Sequence, residues 1–117
     1  MANKYFRAFA KPAATTEVTF YTVPAANTAI VKGIRVTNVG SATATVTVRY
    51  YLSESASTLR TLRNASVAVG ETVEMLGNGT ADGTALPVIF TAGDVLKVYS
   101  SVANTEYLMS YLEMDRT

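Results

Sequence analysis

With neither His nor Cys among its 117 residues, this chain lacks the commonest general base and any thiolate, and its carboxylates are the first groups to weigh for acid and base chemistry. Glu71, Glu74, Asp94, Glu106, Glu113 and Asp115 are the candidates. A pair of them held a few ångströms apart across a cleft could hydrolyse a glycosidic bond. Most of these acids, however, fall at turns or on the polar side of alternating segments, and no aromatic cluster brackets any pair. Solvated side chains are the simpler reading, and the sequence predicts no enzyme. The serines have no His to activate them, which removes the Ser-His-Asp arrangement. Without thiolate or imidazole ligands, neither a metal site nor a cofactor is expected.

The segment Gly77-Asn78-Gly79-Thr80-Ala81-Asp82-Gly83 alternates glycine with Asn and Asp, a spacing that could turn carbonyls and a carboxylate toward a hard cation. It occurs once, without the stacked copy that would complete such a site, so a plain loop is expected. A phosphate loop is excluded by the missing Gly-Lys-Ser/Thr and the missing helix. Asn64-Ala65-Ser66 and Asn78-Gly79-Thr80 match the glycosylation sequon but follow no signal peptide. The residues best suited to contact a partner are aromatic, long and basic. Tyr5, Phe6 and Phe9 near the start and Tyr107, Met109 and Tyr111 near the end form two amphipathic clusters. Arg60 and Arg63, interleaved with Leu59 and Leu62, form a third, which also suits a sheet edge guarded against pairing.

Charged residues make up 16% of the chain against a typical value of about 25%, while 49% of residues are hydrophobic. Too little charge is present to coat a lone small domain, so part of the exterior is expected to be covered by copies of itself or by another protein. Solvation by Thr, Ser and Asn is the alternative. Net charge is +1 with bases scattered among acids, so nucleic acid and anionic membrane are not expected partners. The charged start and the lack of a long apolar span predict a soluble protein used without export.

The elements that must position these residues are strands. Length allows one core. Short runs rich in Val and Thr, separated by Gly, Pro, Asn and Ser, predict an all-β, antiparallel two-sheet β-sandwich of about eight or nine strands, jelly-roll or immunoglobulin-like. Residues 1–16 read as an N-terminal arm or first strand and 17–117 as the sandwich. From Glu17 to Val23, Val18, Phe20 and Thr22 alternate with Thr19, Tyr21 and Val23. In the run from Ala29 to Asn38 the apolar parity slips between Val31 and Ile34, and a bulge at Gly33 would keep both halves facing the core. Val39-Gly40-Ser41-Ala42 reads as a hairpin loop into Ala44–Leu52, the cleanest alternation in the chain. Ser53–Asn64 reads as a loop with a short edge strand or a single helical turn. Two similar turns, Val67-Ala68-Val69-Gly70-Glu71-Thr72-Val73 and Phe90-Thr91-Ala92-Gly93-Asp94-Val95-Leu96, place a glycine before an acid whose carboxylate can bond nearby N–H groups. Thr72–Leu76, Leu86–Phe90, Val95–Val102 and Thr105–Met114 complete the strands. The last is apolar on both faces: one side can join the core, and the other needs cover from the N-terminal segment or a neighbouring subunit.

Taken together, the run from Phe20 to Asn38 with its Val23-Pro24 turn, Gly70-Glu71-Thr72-Val73, Ala92-Gly93-Asp94-Val95-Leu96-Lys97-Val98 and a closing strand near Glu113 resemble small β-sandwich structural proteins of tailed bacteriophages. The resemblance spans residues 17–114 and rests on turn motifs. It implies a virion protein assembled in the host cytoplasm that acts by binding copies of itself and other virion proteins: major capsid, neck or tail proteins. Decoration or cementing of the capsid comes first, then the neck or tail. A carbohydrate- or receptor-binding module using the 77–84 loop is the alternative, weakened by the absence of Trp.

Overall fold

Alternating Val, Thr and Ala segments fold into nine strands in a computed structural model that describes residues 3–13, 15–55, 59–76 and 87–115. They are β1 (Asn3–Ala10), β2 (Val18–Thr22), β3 (Asn27–Thr37), β4 (Ala44–Tyr51), β5 (Leu59–Val67), β6 (Thr72–Glu74), β7 (Val88–Thr91), β8 (Val95–Ser100) and β9 (Glu106–Asp115), with one 3₁₀ turn at Ser53–Ser55. All pairings are antiparallel. One sheet has the order β1-β9-β3-β6, with β7 also on β3; the other has β2-β8-β4-β5. β6 lies against Arg35–Thr37 and β7 against Thr28–Val31, so the two form one interrupted edge. Counted that way, eight strands shuttle between two sheets in the order of a jelly roll.

Small apolar side chains fill the space between the sheets. Ala29, Val31, Ile34 and Val36 of β3 face Ala44, Val46 and Val48 of β4, with Leu96, Val98, Phe90, Tyr107 and Met109 completing the layer. Each Val or Leu buried this way contributes about 1.5–3 kcal/mol. The bulge expected in β3 is present: the register against β9 runs from Val31↔Tyr111 to Gly33↔Ser110, leaving Lys32 as the extra residue. Both halves of β3 therefore keep their apolar residues inside, as the parity slip required.

Three local expectations are corrected. Residues 39–42 are not a hairpin loop, because β3 and β4 belong to different sheets. The buried Asn38 side chain holds this corner, donating to the carbonyls of Ala42 (2.8 Å) and Val67 (2.9 Å) and accepting from Gly40 N. Alternation fails in β2, where a register shift between Thr19 and Tyr21 turns both Phe20 and Tyr21 toward the other sheet, against Tyr107 and Tyr111 respectively. Residues 59–67 form a nine-residue edge strand, longer than expected. Its period of three reflects a bulge: Val48 pairs with Arg63 and Arg49 with Thr61, which leaves Leu62 as the extra residue.

The two glycine-acid turns are tight, and both carry the chain from one sheet to the other. In each, the acid's backbone N–H closes the turn onto the residue three before it, and the glycine has φ of +78° (Gly70) or +85° (Gly93). The carboxylates bond back as the sequence suggested, Glu71 Oε1 accepting from Ala68 N at 3.3 Å and Asp94 Oδ2 from Thr91 N at 2.8 Å.

Candidate functional site

The acids considered for catalysis are dispersed, and each one whose side chain is described has a local partner. Asp94 is buried and clasps the 3₁₀ turn, Oδ1 accepting from Ser53 N at 2.9 Å and from Ser53 Oγ at 3.1 Å. Glu106 pairs with Lys11 at 3.3 Å. Glu74 Oε2 accepts from Ile34 N (2.7 Å) and Leu76 N (3.1 Å), which pins the β3 bulge. A Cβ on Gly33 would stand 2.9 Å from Glu74 Oε1, so the glycine leaves room for this carboxylate. Glu113 accepts from the Tyr21 hydroxyl and, at 2.9 Å, from Asn27 Nδ2 at one end of the sandwich. Tyr111 lies over Tyr21 with ring centroids 4.7 Å apart and stacks on Phe6 at 5.5 Å. Burial, and then the hydrogen bond to Glu113 and its charge, push the Tyr21 hydroxyl far above its usual pKa. Burial pushes Tyr107 up to about 12. No group of three or more potential metal ligands occurs among the described residues.

The residues singled out for contact divide between opposite sides of the molecule. β1 forms the outer edge of its sheet, and Tyr5, Phe6 and Phe9 on it are 77%, 40% and 59% exposed. Arg60 and Arg63 lie on β5, the edge of the other sheet. Arg60 is exposed, whereas Arg63 is half-buried and donates through Nη1 to the Glu74 carbonyl at 2.6 Å, joining β5 to β6. Tyr107 and Met109 are unavailable to a partner, being 1% and 0% exposed. The expectation for them is corrected by the direction of the second sheet, which packs on the side of β9 that carries Tyr107, Met109 and Tyr111. The loop at 77–84 lies outside the described residues.

The second apolar side of β9, expected to need cover, faces outward; β1 pairs beside it rather than over it, and what sequence reasoning missed is how far this side extends across the β1-β9-β3 sheet. Cross-strand register aligns Tyr5 with Leu112, Leu112 with Ile30, and Ile30 with Ile89. The four side chains form an apolar row across the sheet's width, open to solvent at Tyr5 and at Ile89, which is 64% exposed. The signal was the double-sided apolar pattern of β9. Its extension onto β3 and β7 depends on a register that no local window contains. A second row next to it passes from Arg7 to Ser110 to Gly33 and is polar and shallow. With strands spaced about 4.8 Å apart, such rows make a surface suited to another protein rather than a pocket that encloses a small molecule.

No protein-family model matches the sequence, and no curated protein matches it. Among solved structures, the chain is similar to a chain of the disulfide-linked pili of Bacillus endospore appendages, with 14% identity and a TM-score of 0.56 over 99% of this chain and 88% of that one. It is similar to a chain of the capsid of Helicobacter pylori bacteriophage KHP30, with 12% identity and a TM-score of 0.55 over 97% and 87%. A third similarity, at 9% identity and a TM-score of 0.55, is to a chain of the T13 IBDV viral particle and covers 95% of this chain but 30% of that one. At these identities the likeness is one of fold, a two-sheet antiparallel β-sandwich.

Proposed function

We propose that this chain is a structural protein of a bacteriophage virion, present in many copies and acting by binding rather than by reaction. The exposed apolar row Tyr5-Leu112-Ile30-Ile89 beside the open β1 edge is the observation that carries this reading. A lone domain with 16% charged residues gains nothing from leaving such a strip in water, whereas a subunit of a shell covers it. The likeness to the phage capsid chain, nearly end to end in both proteins, supports the same reading, and the pilus chain adds that the sandwich serves in a repeating polymer. Within the particle, the place we assign is the surface of the assembled capsid as a decorating or cementing protein, with the neck or tail second.

The test is mass spectrometry and electron cryomicroscopy of particles purified from the phage that encodes the chain. We expect it at a symmetric surface position, with the outward side of the β1-β9-β3 sheet against a neighbour. Its absence from purified particles overturns the proposal.

A further inference from the structure

The bulge in β3 does more than correct the strand's parity. By adding Lys32 on the outward side of the sheet and leaving Gly33 without a side chain, it opens two adjoining hollows around Ser110. One, of about 500 Å³, is lined by Tyr5, Phe6, Arg7, Lys32, Ser110 and Tyr111, and the other, of about 190 Å³, by Lys32, Gly33, Arg35, Leu108 and Ser110. Arg7, Lys32 and Arg35 are all exposed. Among the described residues no carboxylate lies within ion-pair distance of Arg7 or Lys32, and Arg35 reaches Glu74 only at 4.0 Å. Glu74 is itself held by Ile34 N and Leu76 N. A chain of net charge +1 thus gathers three poorly compensated bases in one furrow, with the apolar row on one side and Phe9 and Leu108 on the other.

We infer that this furrow receives an extended acidic segment of a different protein. It rests on the assembly reading only in making that protein another component of the particle. Arg7 and the bulge lie two strands apart, about 10 Å, which matches carboxylates about three residues apart on an extended chain. The flanking apolar side chains favour Leu or Phe between the acids. A second copy is a poor occupant: among the acids whose side chains are described, Glu17, Glu74, Asp94, Glu106 and Glu113 have partners within the chain, and the exposed Glu54 and Glu71 stand singly at turns rather than spaced along an extended strand. Exposed guanidinium and ammonium groups on a sheet face accept carboxylates with a modest, salt-screened energy each, so affinity comes from several at once.

Fluorescence anisotropy with a short labelled peptide alternating Asp or Glu with Leu and Gly tests the inference on the whole protein. We expect saturable binding that weakens with salt. The double variant Arg7→Glu/Lys32→Glu, confined to exposed side chains and checked for folding by circular dichroism, should bind about tenfold or more weakly, equivalent to about 1.4 kcal/mol. A peptide with Lys in place of the acids should then bind the double variant better than the native protein. Equal binding of the acidic peptide by both proteins overturns the inference, as does tighter binding of a labelled single-stranded oligonucleotide than of the peptide. The virion reading fails separately: peptide binding by a protein absent from particles leaves the furrow standing, whereas undiminished incorporation of the double variant into particles removes the furrow's role in assembly and leaves the virion reading intact.

Discussion

Replacing Asp94 by Ala should cost far more stability than replacing Glu71 by Ala, although the two acids occupy the same place in turns that look alike. Asp94 is 4% exposed, and its carboxylate satisfies two backbone donors, Ser53 N at 2.9 Å and Thr91 N at 2.8 Å. Losing it strips both of that partner; Ser53 and Thr91 are themselves exposed, so water takes up part of the loss and each costs about 1 kcal/mol, the low end for an unsatisfied donor. The lost bond from Ser53 Oγ adds to this and relief from desolvating the buried carboxylate subtracts from it, so about 2 kcal/mol is expected for Asp94→Ala. Glu71 is exposed and makes one 3.3 Å bond to Ala68 N that water can replace, so about 0.5 kcal/mol or less is expected for Glu71→Ala. Urea unfolding followed by tyrosine fluorescence measures both. With a slope of about 1.5 kcal/mol per molar, the midpoint should fall by about 1.3 M for Asp94→Ala and hardly move for Glu71→Ala. Asp94→Asn keeps one acceptor oxygen but turns an amide against the other N–H, so it should fall near the alanine variant. Equal midpoints for Asp94→Ala and Glu71→Ala would refute the claim that this carboxylate braces the β7–β8 corner against the 3₁₀ turn.

Gly33→Ala brings a methyl group to 2.9 Å from Glu74 Oε1 and should cost about 1–3 kcal/mol by displacing the carboxylate that pins the bulge, read as a lowered urea midpoint. Asn38→Ala removes two donors and an acceptor at the β3–β4 corner and should lower thermal stability by several degrees in a calorimetric scan, corresponding to about 1–3 kcal/mol. In alkali the unfolded chain's tyrosines ionise near pH 10, while folding holds Tyr107 protonated until about 12 and Tyr21 beyond that. The unfolded state therefore releases protons first, so the stability these groups contribute is intact below about pH 10 and declines above it; Tyr107→Phe should make that decline shallower in urea midpoints taken across this range. Tyr5→Asp with Phe9→Asp places charge on exposed positions and should leave the circular dichroism spectrum unchanged while reducing incorporation into particles at least tenfold by quantitative mass spectrometry; unchanged incorporation would remove the β1 edge from the assembly surface.

The parts of this fold that were legible in the sequence are those decided within a few residues. Gly33 stood at a parity slip, and only an extra residue could reconcile Val31 with Ile34. Gly70-Glu71 and Gly93-Asp94 announced turns because positive φ and a carboxylate bonding back are local chemistry. Whether the strands flanking a turn pair with each other is not local, so the corner at 39–42 read as a hairpin when Asn38 was in fact binding the carbonyl of Val67. Phe20 and Tyr21 gave no hint of their bulge because no glycine marks it. The Leu59 and Leu62 spacing, which fitted neither strand nor helix, was the trace of another. The candidate surface was read only in part. Tyr5, Phe6 and Phe9 were identifiable as aromatic residues near a chain end, but the inward turn of Tyr107 and Met109 depends on which side of β9 the second sheet occupies. The bond from Tyr21 to Glu113 joins residues 92 apart in sequence, and no spacing rule reaches that far.

The position of β9 bears on how the molecule is made. It lies between β1 and β3, pairing with both along nearly their full lengths, so these two strands have no hydrogen-bonding partner on that side until residues 106–115 are made. Six of the eight connections also change sheets, only β4–β5 and β6–β7 remaining within one, which leaves few short-range pairings from which a nascent chain can build. Folding of the sandwich is then deferred until β9 is available and is slow for a domain of this size. During that delay Tyr5, Phe6 and Phe9 sit on an unpaired strand, exposed to other unfolded chains, so refolding at high protein concentration should favour aggregation over the native sandwich.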